Sequence, residues 1–250
     1  MFTGIVQGVR KVTLITDLKG GRRLRIQLND LAENLQHGSS VAVNGVCLTA
    51  IKIEEGFAEF DIIQESLDRS NLGTLVIGDS VDIERACYFG DEVGGHQVTG
   101  HIDCTGKIDE IRKTPNNRDI VVVCEKEWGG YLIPKGWVAI DGVSLTVVDV
   151  GDNWFSISLI PETLKYTVLG QKVEGDKVNL EFDLTTKVIV KTIQRMFPEI
   201  KKQILSGMRK IESTNNQNIL ITERGTSFAV SYTHLRAHET DSYLVCRLLL

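Results

Sequence analysis

Basic residues are in deficit. Lysine and arginine number 28 against 33 acidic residues, leaving a formal net charge of −5. The chain therefore lacks the basic excess that displaces counterions from phosphates, which argues against non-specific nucleic-acid binding. Cysteine is sparse and unpatterned: Cys47, Cys87, Cys104, Cys124 and Cys246 form an odd set with no C-x-x-C pair. That excludes a disulfide scaffold or a structural zinc site and fits free thiols in a reducing cytoplasm. No run of 18 apolar residues exists to span a membrane. The first residues, MFTGIVQGVRKV, carry no basic segment leading into an apolar run, so no secretory signal is expected. A P-loop and a G-x-G-x-x-G after a strand are also missing, so no phosphate-cradling loop is indicated.

What is present points to strands. Proline is scarce at 4 residues, glycine is plentiful at 23, and valine and isoleucine recur between the glycine-marked turns. With 42% apolar and 24% charged residues a packed core is expected.

The chain repeats itself. Set over Val138–Glu181, the stretch Val41–Glu84 is identical at 16 of 44 positions without a gap. VAVNGVCLT falls on VAIDGVSLT, Glu65-Ser66-Leu67 on Glu162-Thr163-Leu164, and GDSVDIE on GDKVNLE. Upstream, Thr3-Gly4-Ile5-Val6 matches Thr99-Gly100-His101-Ile102 with one residue of slip. The units are thus 1–97 and 98–185, each sized for one small barrel.

In the first unit the expected strands are Gly4–Lys11, Arg22–Leu28, Ser40–Val46, Cys47–Ile53, Ala58–Ile63 and Ser80–Glu84. Asn44-Gly45 and Asp141-Gly142 read equally as tight turns or as bends within a long strand pair. Segments 66–73 and 163–170 read as short helical turns. The fold class expected is all-β: two tandem, homologous, six-stranded Greek-key barrels followed by a C-terminal α-helix. That helix is expected over 186–205, capped by Thr185 or Thr186. Its stripe is Val188, Ile189, Thr192, Ile193, Met196 and Phe197, and Pro198 breaks or kinks it. The stripe suits packing on the chain's own barrels and pairing with copies of itself equally well. Residues 206–250 have no partner in either repeat and are read as a tail outside the functional fold.

Duplicated barrels offer duplicated sites. Gly4 and Gly100 permit close approach to the backbone. Cys47-Leu48-Thr49 and Ser144-Leu145-Thr146 each give a small polar group, an apolar wall and a hydroxyl, and Glu65-Ser66 and Glu162-Thr163 add a carboxylate and a hydroxyl. Such linings suit a flat heterocycle with a polyhydroxylated chain, although Leu-Thr alternation is also ordinary strand chemistry. The halves differ at Gly94–His101, where His96 and His101 stand in a glycine-rich junction opposite apolar Ile5. Histidine exchanges protons near neutral pH, so one repeat is suited to holding a donor and the other an acceptor.

MFTGIV, NGVCLT, ESLDRSNLG, GGHQVTGH, KGWVAIDGVSLTV, LIPETLKYTVLG and VNLEFD, in this order over 1–200, resemble the riboflavin synthases of the duplicated-barrel, lumazine-binding family. The resemblance implies a dismutation of two 6,7-dimethyl-8-ribityllumazine molecules by transfer of a four-carbon unit. The products are riboflavin and 5-amino-6-ribitylaminouracil, and no metal or cofactor is needed. It implies a homotrimer joined through the C-terminal helix, with lumazine synthase as a further partner. The active site lies between the first barrel of one subunit and the second barrel of a neighbour. The implied contacts of the first barrel are Phe2, Gly4, Ile5, Val6, Cys47, Leu48, Thr49, Asp61, Ile62, Ile63, Gln64, Glu65 and Ser66. Those of the second are Gly100, His101, Ile102, Lys135, Ser144, Leu145, Thr146, Ile160, Pro161, Glu162, Thr163, Leu164 and Lys165. His101 is the candidate for proton transfer, and Ser40, Cys47 and Asp183 match polar positions near the reacting carbons. Cys47 reads better as a small polar wall than as a nucleophile, since nothing in the local sequence lowers a thiol pKa there.

Two alternatives belong beside this reading. Non-catalytic relatives bind lumazine or flavin as optical antennae; they lose second-barrel groups, whereas His101, Lys135 and Ser144 are present here. A flavin-binding barrel of an oxidoreductase would need a nucleotide domain for which the chain has neither motif nor room. The tail departs from the family. ILITERGTSF resembles a segment of 3-deoxy-octulosonate-8-phosphate synthases, and VSYTHLRAHETDSYLVCRLLL is similar to translated adapter sequence.

Overall fold

The computed structural model describes residues 1–114 and 116–214; the tail reading beyond residue 214 lies outside the described residues. Met1–Pro198 form one compact unit, and a second begins at Glu199. The first barrel comprises β1 (Gly8–Leu18), β2 (Gly21–Gln27), β3 (Ser40–Val43), β4 (Val46–Glu54), β5 (Phe57–Ile63) and β6 (Ser80–Arg85). It closes in the order β1-β2-β5-β4-β3-β6, every pair antiparallel. The second comprises β7 (Cys104–Lys113), β8 (Arg118–Val123), β9 (Trp137–Ile140), β10 (Val143–Val150), β11 (Trp154–Leu159) and β12 (Lys177–Phe182). It closes in the same relative order, β7-β8-β11-β10-β9-β12. A short helix follows the fifth strand of each: α1 (Gln64–Arg69) and α2 (Pro161–Tyr166), each continued by a 3-10 turn.

Alternation builds these barrels. In β4 the inward set is Val46, Leu48 and Ala50; in β5 it is Ala58, Phe60 and Ile62, all nearly inaccessible. Together with Leu24, Ile26, Leu72 and Ile83 they fill the first core, and Ile108, Ile140, Phe155, Leu180 and Phe182 fill the second. Each barrel bends at a bulge near Val12 or Ile108, and at another near Ala50 or Val147, so the duplication extends to its irregularities.

Asn44-Gly45 and Asp141-Gly142 resolve as tight turns. Their φ angles are 45° and 78° in one and 46° and 87° in the other, positive at both central residues as a type I′ hairpin turn requires. The two turns meet tip to tip. A Cβ on Gly45 would lie 2.6 Å from the Gly142 nitrogen, so neither glycine is replaceable. Around them runs a buried polar seam. Asn71 Nδ2 donates to Asp141 Oδ1 at 2.8 Å and Asn179 Nδ2 to the Asn44 carbonyl at 2.8 Å. The Val168 amide donates to Asp82 Oδ1 at 2.8 Å.

Three expectations are corrected. β1 begins four residues after Gly4 and runs on to Leu18, because residues 4–7 are held in a loop by contacts from elsewhere in the chain. α3 (Leu184–Thr214) is not interrupted at Pro198 and extends past residue 205; a helix interior tolerates proline at the loss of one backbone hydrogen bond. Its cap is Asp183 rather than a threonine. Asp183 Oδ1 accepts from the Thr186 amide at 2.7 Å and from the Thr186 hydroxyl at 2.9 Å.

Candidate functional site

The site begins with two carboxylates at matching places in the repeat. Glu84, at the end of β6, accepts from the Thr3 amide at 2.7 Å and the Gly4 amide at 3.1 Å. Glu181, in β12, accepts from the Thr99 amide at 2.7 Å and the Gly100 amide at 2.9 Å. Burial raises the Glu84 pKa against the pull of those donors. Each clasp forces a glycine into the left-handed region, φ 76° at Gly4 and 80° at Gly100.

The clasped loops then cross over. The Ser144 amide donates to the Gly4 carbonyl at 2.8 Å, and the Cys47 amide donates to the Gly100 carbonyl at 2.9 Å. A Cβ on Gly4 would stand 2.6 Å from the Ser144 Cβ, and one on Gly100 2.5 Å from that of Cys47. The grouping of residues expected from sequence is therefore exchanged. Gly4, Ile5 and Val6 belong with Ser144 of the second repeat, and Gly100, His101 and Ile102 belong with Cys47 of the first.

The first cup is a cavity of about 340 Å³, bounded by Cys47, Glu65, Ser66, Gly100, His101 and Ile102, with Trp128 at its edge. His101 is exposed at this cup, and its amide donates to the Thr99 hydroxyl at 3.3 Å. Thr49 is exposed next to Cys47 on β4, opposite Ser40 on β3. Ile63 stands 62% exposed just before Gln64 opens α1.

The second cup has the same plan and different chemistry. Ser144 lies on β10, opposite Ala139, and Thr146 lies opposite Trp137. Exposed Ile160 leads into Pro161, the first residue of α2, and Glu162 follows in its first turn. His96 Nδ1 is 2.7 Å from Ser144 Oγ, and its ring stacks parallel to Trp137 at 5.9 Å. Burial holds the His96 pKa below the ordinary histidine value, opposed by the negative charge of nearby Asp183. A neutral imidazole against a serine hydroxyl has the geometry to pass a proton near neutral pH. A larger cleft, about 900 Å³, is lined by Thr3, Ile5 and Glu84 together with Cys87, Tyr88 and Asp91 of the inter-barrel linker.

Other expected residues occupy different places. Phe2 is 1% exposed, packed with Val98, Ala42 and Ala139, so it supports the loop and presents no surface to a ligand. Ile62, Leu48 and Leu145 point into the cores. Asp61 is held by Arg23 at 2.6 Å, which keeps its carboxyl below the usual range. Val6 and Leu164 pack against the second core. Thr163 gives its carbonyl to the Thr167 hydroxyl at 2.7 Å. Lys165 sits over the Tyr166 ring at 4.7 Å. Lys135 takes a left-handed φ of 67° and donates its amide to the Val147 carbonyl at 2.8 Å. Asp183 is engaged as the cap of α3. His96 stands beside His101 at the glycine-rich junction in the sequence, but the family resemblance assigns a proton-transfer role to His101 alone. Among the described residues no group of three or more metal-type side chains converges.

Comparison with known proteins matches this plan. The lumazine binding domain model matches twice, over residues 3–86 and 99–183. Riboflavin synthase of Escherichia coli K12 is 43% identical over 198 residues, covering 78% of this chain and 93% of the relative. The chain belongs to the riboflavin synthase family. The riboflavin synthase of Chlamydia pneumoniae is 42% identical over 78% of this chain and 96% of its own. Among solved structures, LumP complexed with riboflavin superposes with a TM-score of 0.69 at 26% identity, covering 73% of this chain and 100% of that one. LumP complexed with 6,7-dimethyl-8-(1'-D-ribityl) lumazine gives 0.67 at 26% identity, over 73% and 99%. Each family match opens at a clasped loop, Thr3 or Thr99, so every lumazine binding domain here contributes its first residues to the other's cup.

Proposed function

We propose that this chain is a riboflavin synthase: it transfers a four-carbon unit between two molecules of 6,7-dimethyl-8-ribityllumazine, yielding riboflavin and 5-amino-6-ribitylaminouracil. The observation that carries the reading is the pair of cups with one plan and unlike linings, Cys47 and His101 in one and the hydrogen-bonded Ser144–His96 pair in the other. Two identical substrates in unlike surroundings can take unlike roles, one giving the four carbons and one receiving them. Backbone groups at the clasped glycines and the hydroxyls of Thr49, Ser66, Thr146 and Thr163 hold ring and ribityl chain. His101 and the His96–Ser144 pair move protons to and from the 7-methyl carbon and the ring, and Ser40, Cys47 and Asp183 supply polar surroundings. Holding two large reactants in register supplies much of the rate.

The same reading makes the enzyme a homotrimer in which the first cup of one copy faces the second cup of another. An exposed apolar stripe supports it: Val188, Ile189, Ile193, Met196 and Phe197 of α3 are 49–59% exposed. The opposite face of α3 is anchored to the second barrel by the half-buried Lys187–Asp103 ion pair and by Lys191 over Tyr131. Lumazine synthase as a further partner and a cytoplasmic location belong to this reading. No helix among the described residues is long and apolar enough to cross a membrane.

The test is to incubate the full chain with the lumazine and follow both products. One riboflavin for every two lumazines consumed is expected. Tight lumazine binding without riboflavin would replace the enzyme with an antenna-type binder.

A further inference from the structure

The linker between the barrels falls between the two family matches, which end at residue 86 and resume at 99. It is nonetheless stitched across the second cup. The Cys87 amide donates to the Met1 carbonyl at 3.1 Å, the His96 amide to the Thr3 carbonyl at 3.0 Å, and Phe2 and Val98 exchange amide bonds at 2.8 and 3.0 Å. At Gly95 the strap passes so close to its supports that a Cβ would stand 2.2 Å from the Thr3 carbonyl oxygen, 2.7 Å from the Ser144 Cβ and 2.9 Å from Ser144 Oγ. Two of those atoms are rigid parts of the cup, and no real Cβ sits that near them. One residue earlier the space opens: a Cβ on Gly94 would meet only Ile5, at 3.5 Å or more, an ordinary contact. Both glycines avoid the left-handed region, so alanine is excluded at Gly95 by space alone.

We infer that Gly95 is the positioning residue of the second cup: by letting the strap touch Thr3 and Ser144, it seats His96 on the Ser144 hydroxyl and makes the two cups unlike. The first cup holds no such strap among the described residues, and Cys47 shares its cavity with His101 of a clasped loop instead. The inference rests on the proposed reaction for its kinetic consequence and on the geometry alone for its structural one. An alanine methyl at residue 95 lifts the strap off the Thr3 carbonyl, where the His96 amide is bonded, and draws the imidazole away from Ser144. Displacing a reacting group by about 1 Å costs on the order of 100-fold in rate.

The experiment compares Gly95→Ala with Gly94→Ala in the full chain. Gly94→Ala should keep kcat within about twofold. Gly95→Ala should lower kcat at least tenfold while lumazine affinity, read by fluorescence titration, changes little. The His96 ring proton, assigned in the NMR spectrum by its loss in His96→Gln, should titrate nearer the ordinary histidine value in Gly95→Ala, since its burial is relieved. The double variant Gly95→Ala/His96→Gln should be no slower than His96→Gln, because both changes remove one relay. An unchanged kcat, an unmoved His96 titration or full additivity would each overturn the inference. Should Gly95→Ala fail to fold, His96→Gln alone decides: lost kcat with retained binding supports the seat, and unchanged kcat overturns it. If the parent chain makes no riboflavin, the reaction proposal falls and the His96 titration still judges the strap.

Discussion

Asp82 and Asn179 occupy the same place in the two repeats, yet one is ionisable and lies 1% exposed. Burial drives the Asp82 pKa well above the ordinary carboxylate value, the neighbouring Asp141 adds to the rise, and Asp82 Oδ2 has no partner. The folded state therefore binds a proton that the unfolded state, with an aspartate pKa of about 3.9, releases; stability is present below that value and declines as pH climbs toward the folded pKa. Asp82→Asn, which installs the residue the second repeat already uses, should stabilise the chain at pH 8 by about 1–2 kcal/mol and flatten the pH dependence. Thermal melts at pH 5 and pH 8 check it, and a larger loss on raising pH in the variant than in the parent would contradict the account. At Cys47, serine is what the second cup carries in the matching position. Cys47→Ser should retain activity within about tenfold, as a polar wall residue does, whereas a covalent nucleophile would lose far more; steady-state riboflavin formation separates the two.

At the scale of elements, the hairpin turns and α3 carry the clearest consequences. Gly45→Ala would force a methyl into φ 78° and against the Gly142 backbone at 2.6 Å. The cost should exceed the roughly 1 kcal/mol of the strained backbone alone, since the facing turn must also move; a denaturant melt reads it. α3 leaves the second barrel under the Asp183 cap and the Lys187–Asp103 pair, whose side chains are 17% and 16% exposed. Asp103→Ala should destabilise by about 1–2 kcal/mol, because a half-buried lysine loses its partner and the Phe182 amide its acceptor. Much of this level was legible beforehand. Inward alternation in β4 and β5 and the short helices after them follow from local patterns that recur in both repeats. The start of β1 was not, because residues 4–7 have strand-like composition and are diverted by Glu84, a residue 80 positions away. Nor was the helix cap: Asp183 is the last polar residue of a repeat motif, and only the turn of the chain into α3 aims its carboxylate at Thr186.

For the whole molecule, the exposed stripe on α3 predicts self-association. Replacing Ile193 and Met196 together by glutamate should convert the proposed trimer to a monomer in sedimentation velocity and abolish riboflavin formation, while each chain still binds lumazine. A variant that stays trimeric would move the seam elsewhere.

The sequence by itself determined that there are two barrels of one design, since an aligned repeat with shared glycines and hydrophobic alternation leaves each half the same way to close. It also named the glycines and small polar residues, Gly4, Cys47, Gly100 and Ser144, that the structure brings together at the cups. Only the tertiary structure decided which repeat supplies each part. Gly4 with Cys47 and Gly4 with Ser144 are equivalent pairings to a duplicated sequence, because every local pattern is unchanged when the halves are exchanged. The choice is made by the seam, where the Gly45 and Gly142 turns abut and carry each clasped loop onto the neighbouring barrel. The same packing brings His96 to Ser144 across 48 residues of chain, a contact that no periodicity in the sequence encodes.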